Sequence, residues 1–412
     1  MAATASVALP IETPPRMTRA AWLPKLGLPA GAALVAVAAI IAAASGGEMW
    51  DRFWHAYIFS FMFVLAFAIG ALFFVAIQHL VRAGWSVVVR RFAELLATMV
   101  LPLFVLWLPI AAAVLFGDGT PYPWTDAELV SSLEVLQHKE PFLNKPFFLL
   151  RGLFYFAFWG GASLWYLKTS KKQDETGDRE LTITMEKRSA VVIPLLALTA
   201  TFAAIDWMMT LAPTWYSTIY GVYFFAASQV AFFAAASVWA VCIHKKKQWK
   251  GIITKEHLHD LGKLLFGFNC FWAYIAFSQY LLIWYANIPE ETEFFQPRYH
   301  HGWQWVSVLL IAGHFAIPFL GLMSRHVKRN PMGLLFWAVW LLVFTAIDFY
   351  WLVMPFLSHE HEGIPTFSAI DVLMLGGFLL LGLGIARLRI GDEPMLAYGD
   401  PRLPESVAFH NI

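Results

Sequence analysis

The chain has 412 residues, of which 59% are hydrophobic and 14% are charged, and its mean hydropathy is +0.60. Soluble domains carry about 25% charged residues, so this composition argues against a soluble enzyme and indicates an integral membrane protein. The net charge of +1 is small, and no basic face with interleaved aromatic residues is present, which argues against nucleic-acid binding.

Ten apolar segments follow a polar N-terminal tail over residues 1–22. The first segment, at about 23–45, ends in Ala42-Ala43-Ala44-Ser45 and could pass for a signal peptide, but we expect it to be retained as a helix. The others lie at about 53–80, 92–116, 146–167, 190–211, 217–243, 261–287, 303–324, 333–357 and 366–386. Each is near the ~20 residues that a bilayer requires. The sequence therefore predicts an all-α integral membrane protein with about ten transmembrane helices.

The basic residues are distributed unevenly over the loops of this arrangement. Of the 29 Lys and Arg residues, 24 fall in the tails and alternate loops on one side, and five fall on the other side. Such asymmetry places the basic side in the cytoplasm. Both termini are then predicted to be cytoplasmic.

A short repeat divides the apolar segments into two groups. Ala204-Ile205-Asp206-Trp207 recurs 142 residues later as Ala346-Ile347-Asp348-Phe349, four helices further along and in the same orientation. This spacing predicts parallel repeats related by an axis along the membrane normal. We expect a first helix and outer loop over 23–52, four-helix bundles over 53–211 and 212–357, a last helix over 358–389, and a cytoplasmic tail over 390–412.

Polar side chains at membrane depth are the candidate functional residues. A repeated, deeply placed carboxylate is costly in a bilayer, so Asp206 and Asp348 are predicted to transfer protons. The alternative for a carboxylate is an ion pair with Arg151, which would offset both charges. The other candidates lie at outer, middle and inner depths. A proton path is predicted through Glu94, His79, Asn269 and Asp371, and His55, His314 and Gln279 are further polar candidates at membrane depth. Small polar residues also tie helices together without further function.

No cofactor motif accompanies these residues. The sequence contains no dinucleotide fingerprint, Walker loop or zincin motif. The two cysteines, Cys242 and Cys270, are too few for an all-cysteine iron–sulfur site. The helical histidines differ in depth, which argues against axial ligation of a b-type haem. We therefore expect no metal site, and expect any haem or iron–sulfur cluster to belong to partner subunits.

Two stretches carry a resemblance to a known family. Residues 206–221, Asp-Trp-Met-Met through Pro-Thr-Trp-Tyr-Ser-Thr-Ile-Tyr-Gly, and residues 277–292, which begin Phe-Ser-Gln-Tyr, resemble the second large membrane subunit of alternative complex III. That complex is a bacterial quinol:cytochrome c (electron acceptor) oxidoreductase. The wider family is the NrfD-like membrane subunits of the polysulfide-reductase type.

The resemblance implies a place in the bacterial inner (cytoplasmic) membrane and a set of partners. It implies a homologous membrane subunit, an iron–sulfur/molybdopterin-like subunit and c-type cytochromes. It also implies contact with quinol, as menaquinone or ubiquinone, for which His55, His314 and Gln279 are the predicted contacts. It leaves open whether this subunit binds quinol or mainly conducts protons. A stand-alone secondary transporter, which parallel repeats permit, and a structural scaffold remain alternative interpretations.

Overall fold

Ten long apolar helices form the protein, and a computed structural model describes them over residues 14–17, 20–360 and 367–410. They are α1 (Leu23–Ser45), α2 (Gly47–Leu80), α3 (Gly84–Phe116), α4 (Lys145–Thr176), α5 (Glu180–Leu211), α6 (Tyr220–Ile243), α7 (Lys255–Ala286), α8 (Trp303–Met323), α9 (Pro331–Leu357) and α10 (Ala369–Ile390). No strand occurs within these described ranges. The predicted ten-span, all-α membrane fold is therefore confirmed. Most of the predicted tail over 1–22 lies outside the described residues.

Several helices extend beyond their predicted apolar segments. Helix α4 continues to Thr176, α5 begins at Glu180, and α7 begins at Lys255. These extensions carry many charged residues. Hydropathy therefore does not count them as part of a membrane span, but such residues are good helix formers in water. The predicted outer loop after α1 is reduced to Gly46, whose φ of 96° permits the abrupt change of direction into α2.

Helices α2 and α6 form the centre of the molecule, because most of their residues are buried. Helix α2 packs on α3 and α5, and α6 packs on α7 and α9, so the same neighbour relations recur four helices later. The first group, α2–α5, meets the second group, α6–α9, where α2 crosses α6. A Cβ on Gly70 would lie 2.4 Å from the carbonyl oxygen of Ser228, so glycine sets the closeness of this crossing.

Helices α1 and α10 form a peripheral pair that packs against α2. Gly31 and Gly377 face one another in this pair, and a Cβ on Gly31 would lie 2.7 Å from the carbonyl oxygen of Gly377. Small residues allow helix backbones to approach closely in a membrane. The pair therefore adds a third layer beside the two central groups.

The α5–α6 and α7–α8 connections pack on one another at the end of the molecule predicted to face outward. The indole of Trp215 donates to the carbonyl oxygen of Glu291 at 3.0 Å and stacks on Phe294 with centroids 4.4 Å apart. The hydroxyl of Thr214 donates to Glu293 at 2.8 Å. The two stretches that carry the resemblance thus lead into a single cap over the second group of helices.

The C-terminal segment folds over the opposite end of the helices. Asp400 forms an ion pair with Arg90 of α3. The hydroxyl of Ser406 donates to the carbonyl oxygen of Trp85 at 2.7 Å, and the carbonyl oxygen of Ser406 lies 3.0 Å from Nε2 of His257 on α7. The segment therefore bridges the two groups of helices.

Candidate functional site

Asp206 lies near the end of α5 and is fully buried against α4. Nε and one terminal nitrogen of Arg151 donate to its two carboxylate oxygens at 2.8 and 2.7 Å. The hydroxyl of Tyr155 adds a third hydrogen bond at 2.8 Å. The guanidinium also lies 3.9 Å from the ring centroid of Phe142. Asp206 is therefore charge-compensated and held in a fixed geometry.

Asp348 lies at the matching position on α9 and is also fully buried, but its partners are neutral. The hydroxyl of Tyr223 on α6 donates to one carboxylate oxygen at 2.6 Å, and the indole of Trp272 on α7 donates to the other at 2.9 Å. Within the described residues, no Lys, Arg or His forms an ion pair with it. A buried carboxylate without a counter-charge is the group expected to bind a proton.

His314 lies beside the same indole. The imidazole and Trp272 ring centroids are 3.7 Å apart, and Nε2 of His314 lies 3.5 Å from the hydroxyl of Thr345, one turn before Asp348 on α9. His314 is fully buried, and its Nδ1 has no hydrogen-bond partner in the described structure. Trp272 thus contacts two predicted site residues, since its indole donates to Asp348 and its ring packs against His314.

The backbone around His314 departs from a regular α-helix. Residues Ile311–Ala316 form a π-helical turn within α8. Single π-helical turns occur frequently at functional sites. Gly313 precedes His314 in this turn, and its carbonyl oxygen accepts from the indole of Trp340 at 2.7 Å. This bond anchors α8 to α9 next to the Asp348 cluster, which consists of Asp348, Tyr223, Trp272 and His314.

Three buried amides lie on α6 and α7 near this cluster. Asn269 is one turn before Trp272, Gln279 is two turns after it, and Gln229 is six residues after Tyr223. All three side chains are buried, and neither amide atom of any of them has a protein partner in the described structure. Buried amides of this kind are normally satisfied by ordered water.

Glu94 and His79 lie toward the end covered by the C-terminal segment. Glu94 pairs with Arg91 at 2.9 Å and lies 3.5 Å from Arg90, so it belongs to a buried ion-pair cluster. His79 stacks on Tyr166 with centroids 5.7 Å apart, and its Nε2 has no partner in the described structure. Their predicted place in a proton path stays a prediction.

Asp371 and His55 lie near the opposite end. Nε of Arg52 donates to Asp371 at 3.0 Å, and the hydroxyl of Tyr350 donates to it at 3.0 Å. This arrangement ties α2, α9 and α10 together. Nδ1 of His55 lies 2.9 Å from the carbonyl oxygen of Asp51, one turn earlier on α2. The predicted quinone contact at His55 and proton role of Asp371 stay predictions.

Sequence reasoning did not identify the aromatic donors of the site. Tyr155, Tyr223 and Trp272 each bind one of the repeated carboxylates. One signal was available for the first, because Arg151 and Tyr155 are four residues apart and therefore share a face of α4. No spacing signal was available for Tyr223 and Trp272, which lie on two other helices.

Comparison with known proteins found no family model that matches the chain. No curated protein matches it either. The fold and its buried polar groups define a multi-pass membrane protein.

Proposed function

We propose that this chain is a membrane subunit of a respiratory quinol:cytochrome c (electron acceptor) oxidoreductase, and that its second group of helices, α6–α9, transfers protons through Asp348. The observation that carries the proton role is the contrast between the repeated carboxylates. Asp206 has a buried guanidinium partner, whereas Asp348 accepts hydrogen bonds from a phenol and an indole. Since an uncompensated buried charge is costly, Asp348 is the better proton acceptor.

His314 supplies a second exchangeable group next to Asp348. A neutral imidazole both accepts and donates, which suits it to relay a proton. Asn269 and Gln229 continue a polar route toward the end that carries most Lys and Arg residues. Water bound at these amides would connect them, because each has unsatisfied donors and acceptors.

Asp206 has a different role in this proposal. Two hydrogen bonds from Arg151 compensate its charge within the protein, so in this proposal Asp206 fixes α4 against α5 and is not a step of the proton route. The two repeated carboxylates thus have different proposed roles: Asp206 is structural, and Asp348 transfers protons. The proton-transfer role predicted from the sequence for Asp206 stays a prediction.

The resemblance supports the wider context of the proposal. Residues 206–221 and 277–292 lead into the cap formed by Trp215, Glu291 and Phe294, and this cap is the surface we propose for contact with the iron–sulfur and cytochrome subunits. The proposed location is the bacterial cytoplasmic membrane with both termini inside, which the excess of basic residues on one side supports.

The test compares matched carboxamide variants in the assembled complex reconstituted into vesicles. Asp348→Asn is expected to lower the number of protons moved per electron while quinol oxidation continues. The Asp206→Asn variant, measured only in complexes that retain all subunits, is expected to keep the parent stoichiometry. An unchanged stoichiometry in Asp348→Asn would contradict the proton role and favour a structural scaffold.

A quinone contact is a second candidate function, and Gln279 is the residue that favours it. Its buried amide has no protein partner in the described structure and lies two turns beyond Trp272 toward the cap. Such an amide can donate to a quinone carbonyl oxygen. A photoreactive quinone is expected to label this chain near Gln279, and labelling confined to a sister subunit would count against this role.

A further inference from the structure

A pocket of about 470 Å³ lies on the basic side of the molecule, away from the Asp348 site. It is formed where α3, α4 and α10 meet the segments at both ends of the chain. Its lining includes Arg16, Lys171, Arg389 and Glu393, together with the apolar side chains of Leu167 and Leu388. The pocket therefore has charged and hydrocarbon surfaces side by side.

Two guanidinium groups at this pocket have no carboxylate partner in the described structure. A terminal nitrogen of Arg16 donates to the backbone carbonyl oxygen of Asp392 at 3.0 Å. Nε of Arg389 donates to the hydroxyl of Thr98 at 2.9 Å. Both partners are neutral, so both positive charges remain available to a ligand.

The other charges at the pocket are balanced within the protein. Lys171 pairs with Glu393 at 2.6 Å, and Asp392 lies 3.7 Å from Arg387. The backbone holds Arg16 in place through its antiparallel bridge with Pro394. The pocket thus presents two guanidinium groups, each with one hydrogen bond to a neutral oxygen, which suits a phosphate with several acceptor oxygens.

The apolar lining indicates the source of that phosphate. Leu388 is 55% exposed and lies next to Arg389 at the end of α10, which places hydrocarbon surface directly beside a guanidinium. A free phosphate gains nothing from such a surface, whereas the acyl chain of a lipid does. Basic pockets between transmembrane helices near the membrane boundary bind anionic lipid headgroups.

We propose that this pocket binds an anionic phospholipid, with its phosphate between Arg16 and Arg389 and its acyl chains along Leu388. The bound lipid joins α10 to the segments at both chain ends. It therefore stabilises the fold over this end of the helices. The site is independent of the proposed proton transfer.

The test uses the purified, delipidated full-length chain in detergent, with lipid binding measured by native mass spectrometry. Phosphatidylglycerol is expected to bind more tightly than phosphatidylcholine. Arg16→Gln/Arg389→Gln is expected to weaken phosphatidylglycerol binding about 25-fold, from a factor of roughly five for each charge. Arg179→Gln/Lys187→Gln removes two exposed charges elsewhere on α5 and the loop before it, and is expected to bind like the parent.

A charge-preserving variant separates the loss of charge from a loss of fold. Arg16→Lys/Arg389→Lys is expected to bind phosphatidylglycerol within threefold of the parent. A loss as large as that of the glutamine variant would contradict recognition by charge and overturn the proposal. Equal binding of the two lipids, or inorganic phosphate competing at the same concentration as phosphatidylglycerol, would also overturn it.

Discussion

Arg151 donates parallel hydrogen bonds of 2.8 and 2.7 Å to the two carboxylate oxygens of Asp206. At the repeated position, Asp348 has Tyr223 and Trp272 as its partners instead. The repeat therefore preserves a buried carboxylate while exchanging a charged partner for neutral ones. This difference predicts that substitution of Asp206 lowers stability and that substitution of Asp348 lowers proton transfer.

Asp206→Asn is expected to destabilise the protein strongly. The substitution leaves the guanidinium of Arg151 buried without its counter-charge, and breaking such a pair costs about 3–5 kcal/mol. Thermal unfolding of the purified protein in detergent measures the effect. The double variant Arg151→Met/Asp206→Leu removes both charges and is expected to recover most of the loss. A double variant as unstable as Asp206→Asn would show that the ion pair is not the cause.

Asp348→Asn is expected to cost about 1 kcal/mol or less in the free energy of unfolding. The amide oxygen can accept from Trp272, and the amide nitrogen can donate to the phenol oxygen of Tyr223, so both hydrogen bonds have a neutral replacement. The same thermal assay measures the difference. A loss as large as that expected for Asp206→Asn would contradict the assignment of Asp348 as an exchangeable group.

The sequence predicted the ten helices well because each contains a long apolar stretch that only a bilayer or a large core accommodates. It also identified the buried carboxylates, since charge at membrane depth is rare. It did not distinguish Asp206 from Asp348, because their partners lie on other helices and depend on packing. Aromatic residues are too numerous here, with 19 Trp and 13 Tyr, for Trp272 or Tyr223 to be recognised individually.

The C-terminal segment shows a second limit of sequence reasoning. The sequence predicts a cytoplasmic tail over residues 390–412, and these residues contain no stretch long enough to span a membrane. In the structure, Met395, Leu396 and Leu403 of this segment are buried. Scattered apolar residues of this kind give no transmembrane signal, although they are sufficient to pack a short segment onto the helix ends.

His314→Gln is expected to slow proton transfer without a large change in thermal stability. Glutamine can still contact the hydroxyl of Thr345, but its amide does not exchange protons near neutral pH. The measurement is the proton-to-electron ratio in vesicles, together with the unfolding temperature. His244→Gln, at the end of α6 and away from Trp272, is the control and is expected to behave like the parent. Equal proton transfer in both variants would remove His314 from the route.

Gly70→Ala is expected to destabilise the crossing of α2 and α6. The new methyl group would lie 2.4 Å from the carbonyl oxygen of Ser228 and 2.6 Å from Cβ of Phe232, so the two backbones must separate. Overpacking of this kind costs about 1–3 kcal/mol. Gly161→Ala on α4 meets no atom within 4 Å and is expected to be neutral or slightly stabilising. Similar unfolding temperatures for the two variants would contradict the close approach at Gly70.

Cys242 offers a direct test of the predicted orientation. Its side chain is exposed near the end of α6, two residues before His244 and the basic loop predicted to be cytoplasmic. A membrane-impermeant maleimide is therefore expected to label Cys242 in inverted vesicles and to leave it unlabelled in intact spheroplasts. Glu128→Cys, in the long loop between α3 and α4 and in a Cys242→Ser background, is expected to show the reverse pattern. Labelling of Cys242 from the spheroplast exterior would invert the orientation, and the proposed contact with the cytochrome subunits would then have to move from the Trp215 cap to the opposite face.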